Sequence, residues 1–166
     1  MAVAAAAYAL DVVTKVLAVR HLTGQPDVEV VGTWLQLTLV RNPGAAFSTG
    51  TGLTYLLSAL ALTAIVVVVT LSRRIRSRGW AVALGLLLAG VAGNFTDRVL
   101  REPGPFRGHV VDFLRLPNWP VFNVADICID AAAILIVVLA LRGVGLDGTR
   151  GDPGASEPPS GPGDPS

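Results

Sequence analysis

Hydrophobic positions in this chain fall into four long blocks separated by short polar stretches. The first, Met1–Val19, reads MAVAAAAYALDVVTKVLAV. The second, Leu53–Ser72, and the third, Gly79–Thr96, carry no charge at all, and the fourth runs from about Val121 to Leu141. About 20 apolar residues in a helix cross the ~30 Å hydrocarbon core of a bilayer, so the pattern predicts four transmembrane helices. The first has one polar face, because Asp11 and Lys15 are spaced i,i+4 and can pair.

Between the first two blocks the period changes. In TWLQLTLV, Leu35, Leu37 and Leu39 alternate with Trp34, Gln36 and Thr38, which predicts a strand with one apolar face. RNPGAAFSTG follows, with a turn at Asn42-Pro43-Gly44. A β-rich platform over about 28–50, lying on the bilayer surface with Trp34 as an interfacial anchor, is the expected element. Trp80, Trp119 and Phe122 also read as interface anchors. Beyond Arg142 the sequence is rich in Gly, Pro and Ser and lacks the apolar residues to order itself. A membrane domain over 1–142 and a disordered tail over 143–166 are therefore expected, with no internal repeat.

Composition supports the membrane class. Of 166 residues, 52% are hydrophobic and 15% charged, with mean hydropathy +0.59, against about 25% charged in soluble domains. The net charge of +1 makes no case for nucleic acid. The single cysteine, Cys128, excludes an internal disulfide and a CxxC site and reads as a packed thiol. Arg73, Arg74, Arg76 and Arg78 crowd one short loop. That density assigns the loop and both termini to the cytoplasmic side, although Lys and Arg divide evenly between the two faces.

The candidate chemistry lies between Gly93 and Asp126. Asp97, Glu102, Asp112 and Asp126 fall there, at or beside membrane spans, where a charge costs about 2.5–3.5 kcal/mol at the bilayer centre. Asp97 and Arg98 close the third span, and Asp112 sits in the loop returning to the membrane. Asn123, Asp126 and Asp130 follow on one helix face. Asp112 and Asp126, if brought together, would share one proton, so that one activates water while the other polarises a carbonyl. Spacing alone leaves open whether they meet, or whether these carboxylates serve an ion path in a small transporter. Asp11–Lys15 reads as a structural ion pair, and Asn42 and Asn123 as turn and cap residues. A Ser–Lys pair of Lys15 with Ser48 or Ser58 has no motif behind it, and His109-x-x-Asp112 with only His21 elsewhere makes no metal site.

Five stretches, DVVTK (Asp11–Lys15), RNPGAAFS (Arg41–Ser48), GNFTDR (Gly93–Arg98), HVVDF (His109–Phe113) and FNVAD (Phe122–Asp126), occur in this order between four spans. Together the chain resembles the lipoprotein signal peptidase (signal peptidase II) family. The resemblance implies a four-helix membrane aspartic peptidase with an extracytoplasmic β-cradle, cutting prolipoproteins just before a diacylglyceryl-modified cysteine. It implies Asp112 and Asp126 as the catalytic pair, and Asn42, Asn94, Asp97, Arg98 and Asn123 as residues that bind substrate or brace the pair. Asp11 and Lys15 take a supporting role, although Val12 stands where the family's first motif usually has Gln. The implied location is the bacterial cytoplasmic membrane, with the site near the extracytoplasmic face. No cofactor or metal is implied. The implied partners are lipid-modified prolipoproteins, membrane lipid and globomycin-type cyclic peptide inhibitors, with the enzyme acting as a monomer.

Overall fold

In the computed structural model, residues 1–44 and 51–149 are described. The elements are α1 (Ala2–Leu22), β1 (Val28–Val31), β2 (Leu35–Asn42), α2 (Thr51–Ser72), α3 (Arg78–Leu100), β3 (Val110–Arg115) and α4 (Val124–Leu141). All four helices are long and apolar enough to span a membrane. The large aliphatic side chains point outward: Leu10, Val13, Leu60, Val66, Ile134 and Val137 are exposed, while Ala83, Ala89, Ala125 and Ala132 are buried. Lipid is as apolar as leucine, so helices in a bilayer gain by close packing of small residues instead.

Helix α3 is the centre of the bundle, packing against α1, α2 and α4. Its buried positions include Gly85, Ala89, Gly90 and Gly93. A Cβ on Gly90 would meet the Ala125 carbonyl oxygen and, at 2.7 Å, Ile129 Cγ1, so glycine there lets α4 approach. At the other end of the same α3–α4 interface a Cβ on Gly79 would stand 2.9 Å from Leu139 Cδ2.

The strands form one antiparallel sheet in the order β1-β2-β3. The platform therefore extends beyond 28–50. Its third strand, Val110–Arg115, makes Asp112 a strand residue, not part of an irregular returning loop. Val111 and Phe113 pack on Ala18 and Leu22 of α1, with Leu37 and Leu39 of β2 alongside. Arg115 at the end of β3 pairs with Asp27, just before β1.

Other boundaries also differ from the expected ones. Helix α1 continues to Leu22 and α3 to Leu100, so Asp97 and Arg98 lie within α3's last turns. Helix α4 begins at Val124, because Phe122 bridges to Leu114 and Asn123 is the N-cap. Residues 143–149, expected to belong to a disordered tail, fold back on the bundle. Trp80 Nε1 donates to the Val144 carbonyl at 2.7 Å, and the Arg76 and Ser77 amides both donate to the Leu146 carbonyl. Ser48 and the tail from residue 150 onward lie outside the described residues.

Candidate active site

Two elements deliver the two acids. β3 places Asp112 at 2% exposure, with Val111 and Phe113 beside it turned to the core. In the sheet register Asn42 pairs with Val110 and Val40 with Asp112, which makes Asn42 and Asp112 diagonal neighbours on one face. Asn42 Nδ2 donates to Asp112 Oδ2 at 2.8 Å, and Asn42 Oδ1 accepts from the Gly44 amide. The turn at Asn42-Pro43-Gly44 thus orients the amide that holds the carboxylate.

Helix α4 delivers Asp126. Asn123 caps it: Asn123 Oδ1 accepts from the Asp126 amide at 3.1 Å, and Asp126 Oδ2 accepts from the Asn123 amide at 3.0 Å. This reciprocal box satisfies two of the amides a helix N-terminus leaves unpaired. A third is satisfied from another helix, since Asp11 Oδ1 accepts from the Ala125 amide at 2.9 Å.

Asn123 also joins the two acids. It is fully buried, and its Nδ2 donates to Asp112 Oδ1 at 2.6 Å. The same Nδ2 lies 3.2 Å from Asn94 Oδ1, while Asn94 Nδ2 donates to Asp126 Oδ1 at 2.9 Å. Each carboxylate therefore receives one amide from its own neighbourhood and one that links it toward the other. Burial raises the Asp112 carboxyl to about 6, with the nearby Asp126 charge adding to the rise; hydrogen bonds from Asn42 and Asn123 oppose it.

Beneath this pair lies a buried ionic cluster. Lys15, at 1% exposure, donates to Asn94 Oδ1 at 2.9 Å and ion-pairs with Asp11 at 2.9 Å and Asp97 at 3.0 Å. Asp97 Oδ2 also accepts from the Val111 amide at 3.1 Å, and its other oxygen pairs with Arg101. Asp97 thereby ties α3 to β3, Asp11 ties α1 to α4, and Lys15 holds both acids to Asn94. The i,i+4 pair expected on α1 is present, but it is one edge of a cluster spanning three helices and the sheet.

Arg98 lies beside that cluster, within electrostatic reach of Asp112 and Asp97. Its Nη1 is buried without a hydrogen-bond partner among the described residues, and Nη2 lies 4.0 Å from where a Gly44 Cβ would stand. Ser58 is committed elsewhere, donating to the Thr54 and Phe106 carbonyls. Asp130 is exposed, away from the cluster. Arg101 is the residue that sequence reasoning misses. Its signal is the i,i+4 spacing from Asp97, hidden when the third span is ended at Thr96.

A Cβ on Gly93 would run into Asp11 Oδ2 and sit 3.4 Å from Ala125 Cβ. Gly93→Ala is expected to lower stability by about 1–3 kcal/mol, read as the unfolding midpoint in detergent. Gly85→Ala, whose Cβ would meet its nearest atoms at 3.5 Å, is expected to be tolerated. Equal midpoints for the two variants would show that Asp11 does not need the space.

Paired carboxylates bridged by amides, at the sheet-covered end of a four-helix membrane bundle, are suited to activating water against a peptide carbonyl. Such an arrangement is what a polytopic membrane hydrolase of the aspartic type requires. Comparison with known proteins agrees. The family model described as signal peptidase (SPase) II matches residues 3–142. A lipoprotein signal peptidase of Mycolicibacterium smegmatis is 50% identical over 96% of this chain and 68% of its own. One from Mycobacterium avium is 52% identical over 89% of this chain and 81% of its own. A bacterial membrane enzyme solved by the in meso method superposes with TM-score 0.75 at 29% identity, covering 84% of this chain and 90% of that one. The chain belongs to the signal peptidase II family. It is a multi-pass membrane protein and a peptide hydrolase of an aspartic-type family.

Proposed function

We propose that this enzyme removes the signal peptide from bacterial prolipoproteins, cutting before a diacylglyceryl-modified cysteine, with Asp112 and Asp126 as the catalytic pair. The observation that carries the reading is Asn123, whose side-chain amide holds Asp112 while its backbone amide holds Asp126. One residue thus sets the spacing of two acids that come from different elements.

In this reading Asp112 carries the proton and Asp126 is the base. Asp126 takes a proton from water as the oxygen adds to the scissile carbonyl carbon, and Asp112 gives its proton to the carbonyl oxygen. In the resulting diol the C–N bond then breaks. Asp126 returns its proton to the departing nitrogen, and a diol hydroxyl restores the proton of Asp112. The products are the signal peptide's carboxyl and the amino group of the modified cysteine. Arg98, whose Nη1 has no hydrogen-bond partner among the described residues, is placed to hold a substrate carbonyl, and Asn42, Asn94 and Asn123 fix the acids. Asp11, Lys15 and Asp97 hold the elements that carry them.

The dyad lies at the end opposite the Arg73–Arg78 loop, which agrees with a site at the extracytoplasmic face and both termini in the cytoplasm. The substrate's lipid tails would remain in the bilayer beside the helices, and a globomycin-type cyclic peptide would compete at the dyad. The enzyme acts as a monomer in this reading, since both acids come from one chain.

The test is cleavage of a diacylglyceryl-modified prolipoprotein by the purified protein in detergent, beside the same precursor without lipid. Cleavage of the modified precursor alone is expected; equal cleavage of both would remove the lipid from the recognition. The pH profile gives a second check. Asp112 must hold its proton, so the rate is expected to fall as pH rises through about 6. Stability should move the same way. A carboxyl raised above its ordinary 3.8 favours the folded state at low pH, and that contribution is lost as pH rises through about 6. A rate still climbing between pH 6 and 8 would contradict the role given to Asp112.

A further inference from the structure

At the end of the bundle away from Asp112, α1, α2 and α3 leave a cavity of about 210 Å³, lined by Met1, Val68, Ser72, Ile75, Leu84 and Leu88. Its lining side chains are aliphatic or Met except at Ser72, whose hydroxyl donates to the Val69 carbonyl. Helix α2 packs chiefly on α3, and α1 shares no comparable contact with it, so the space between α1 and α2 needs a filler.

Directly beyond Ser72 the α2–α3 loop presents Arg73, Arg74 and Arg76, and α3 opens with Arg78; all four are exposed. Among the described residues none of the four forms an ion pair. Asp147 lies near Arg76; its hydrogen bonds with Thr149 hold its carboxyl below the ordinary range, and the Arg76 charge adds to this. The loop backbone is nevertheless fixed. Arg74 donates to the Leu71 carbonyl at 2.9 Å, and the Arg76 and Ser77 amides share the Leu146 carbonyl at 3.0 and 3.1 Å. Four exposed guanidinium groups, none of them ion-paired among the described residues, thus stand beside an intramembrane cavity lined mainly by aliphatic side chains.

We propose that this end of the bundle binds a phospholipid with an anionic headgroup, one acyl chain entering the α1–α2–α3 cavity and the phosphate resting among the loop arginines. Guanidinium groups hold phosphate oxygens in bidentate pairs. Basic clusters between or beside membrane helices recognise anionic headgroups, each Lys or Arg contributing about a fivefold preference. The chain in the cavity explains why the site would take an intact lipid and not a free phosphate. Its effect would be to staple α1 to α2 far from the dyad.

The experiment uses the full chain, purified in a neutral maltoside. Native mass spectrometry would count retained phosphatidylglycerol against phosphatidylcholine of the same acyl chains. Phosphatidylglycerol is expected to be retained preferentially and not displaced by glycerol phosphate. Arg74→Gln and Arg76→Gln should each reduce the preference about fivefold, with Arg→Lys retaining much of it. Ala81 also lines the cavity and is exposed, so Ala81→Leu should lower retention by filling the chain's path. Unfolding midpoints in lipid-free detergent would establish that every variant is folded. Equal retention of the two lipids, or unchanged preference in both Gln variants, would overturn the headgroup assignment. Unchanged retention in folded Ala81→Leu would overturn the cavity assignment and leave only surface adsorption.

Discussion

Asp112→Asn and Asp126→Asn are each expected to abolish cleavage of a lipid-modified prolipoprotein, with a loss of about 10⁴-fold or more. General acid–base catalysis by one group is worth about 10²–10⁴, and groups that act as a unit fail together, so losing either costs nearly what losing both does. The two variants differ in stability, which separates chemistry from folding. Both oxygens of Asp112 accept amide hydrogens, from Asn42 and from Asn123. An Asn there must turn its own NH₂ toward one of these donors, at a cost of about 1–3 kcal/mol for the group left unpaired. Asp126 also accepts two, from Asn94 Nδ2 and the Asn123 amide, but it is only partly buried and water can satisfy a displaced group. Asp126→Asn should therefore be the cleaner probe, inactive with a midpoint near wild type. The measurements are turnover of the lipidated substrate and thermal unfolding on the same preparations. A variant that is folded and fully active would remove that residue from the catalytic pair.

The spans were legible because a bilayer imposes a length and a composition that few other elements share. Less legible was everything held by partners distant in the chain. β3 shows the reason for Asp112. A strand buried on one face alternates, but Val110, Val111, Asp112 and Phe113 are all buried, with α1 against one side and the site against the other. No period-two signal survives in such a strand. The end of α3 shows another reason. Two charges after Thr96 suggest that a membrane helix stops there, yet it runs on to Leu100 because Lys15 and Arg101 neutralise Asp97 from either side. Lys15 belongs to a different helix, and nothing local announces it. Residues 143–149 show a third. Their composition cannot drive folding, but the carbonyls of Val144 and Leu146 meet unpaired donors on Trp80 and the α2–α3 loop. The capping of α4 by Asn123, in contrast, was legible, because the cap residue and its Asp at the third helical position lie within four residues of sequence.

The same long-range cluster gives the second large effect. Lys15→Met keeps an unbranched side chain of similar length but removes the only lysine of the chain. Asp11 would retain a single directed bond, from the Ala125 amide, while Asp97 would keep Arg101 and the Val111 amide. Breaking a buried ion pair from one side costs about 3–5 kcal/mol, so the variant is expected to be strongly destabilised, and inactive even where it remains folded. Inactivity follows because Asn94 loses the cation that fixes its oxygen while its amide holds Asp126. Removing one acid as well should restore part of the stability: in Lys15→Met/Asp11→Asn the buried carboxylate that lost its counter-charge is gone, though the amide can still accept from Ala125. A double-mutant cycle on unfolding free energies should then give a coupling of about 0.5–3 kcal/mol between the two positions. Additive effects would mean that Lys15 serves Asp97 and Asn94 alone, and that Asp11 holds α4 without it. A Lys15→Met protein within about 1 kcal/mol of wild type would show that the cluster is not what binds α1, α3 and β3 into a frame for the dyad, since typical single substitutions already cost that much.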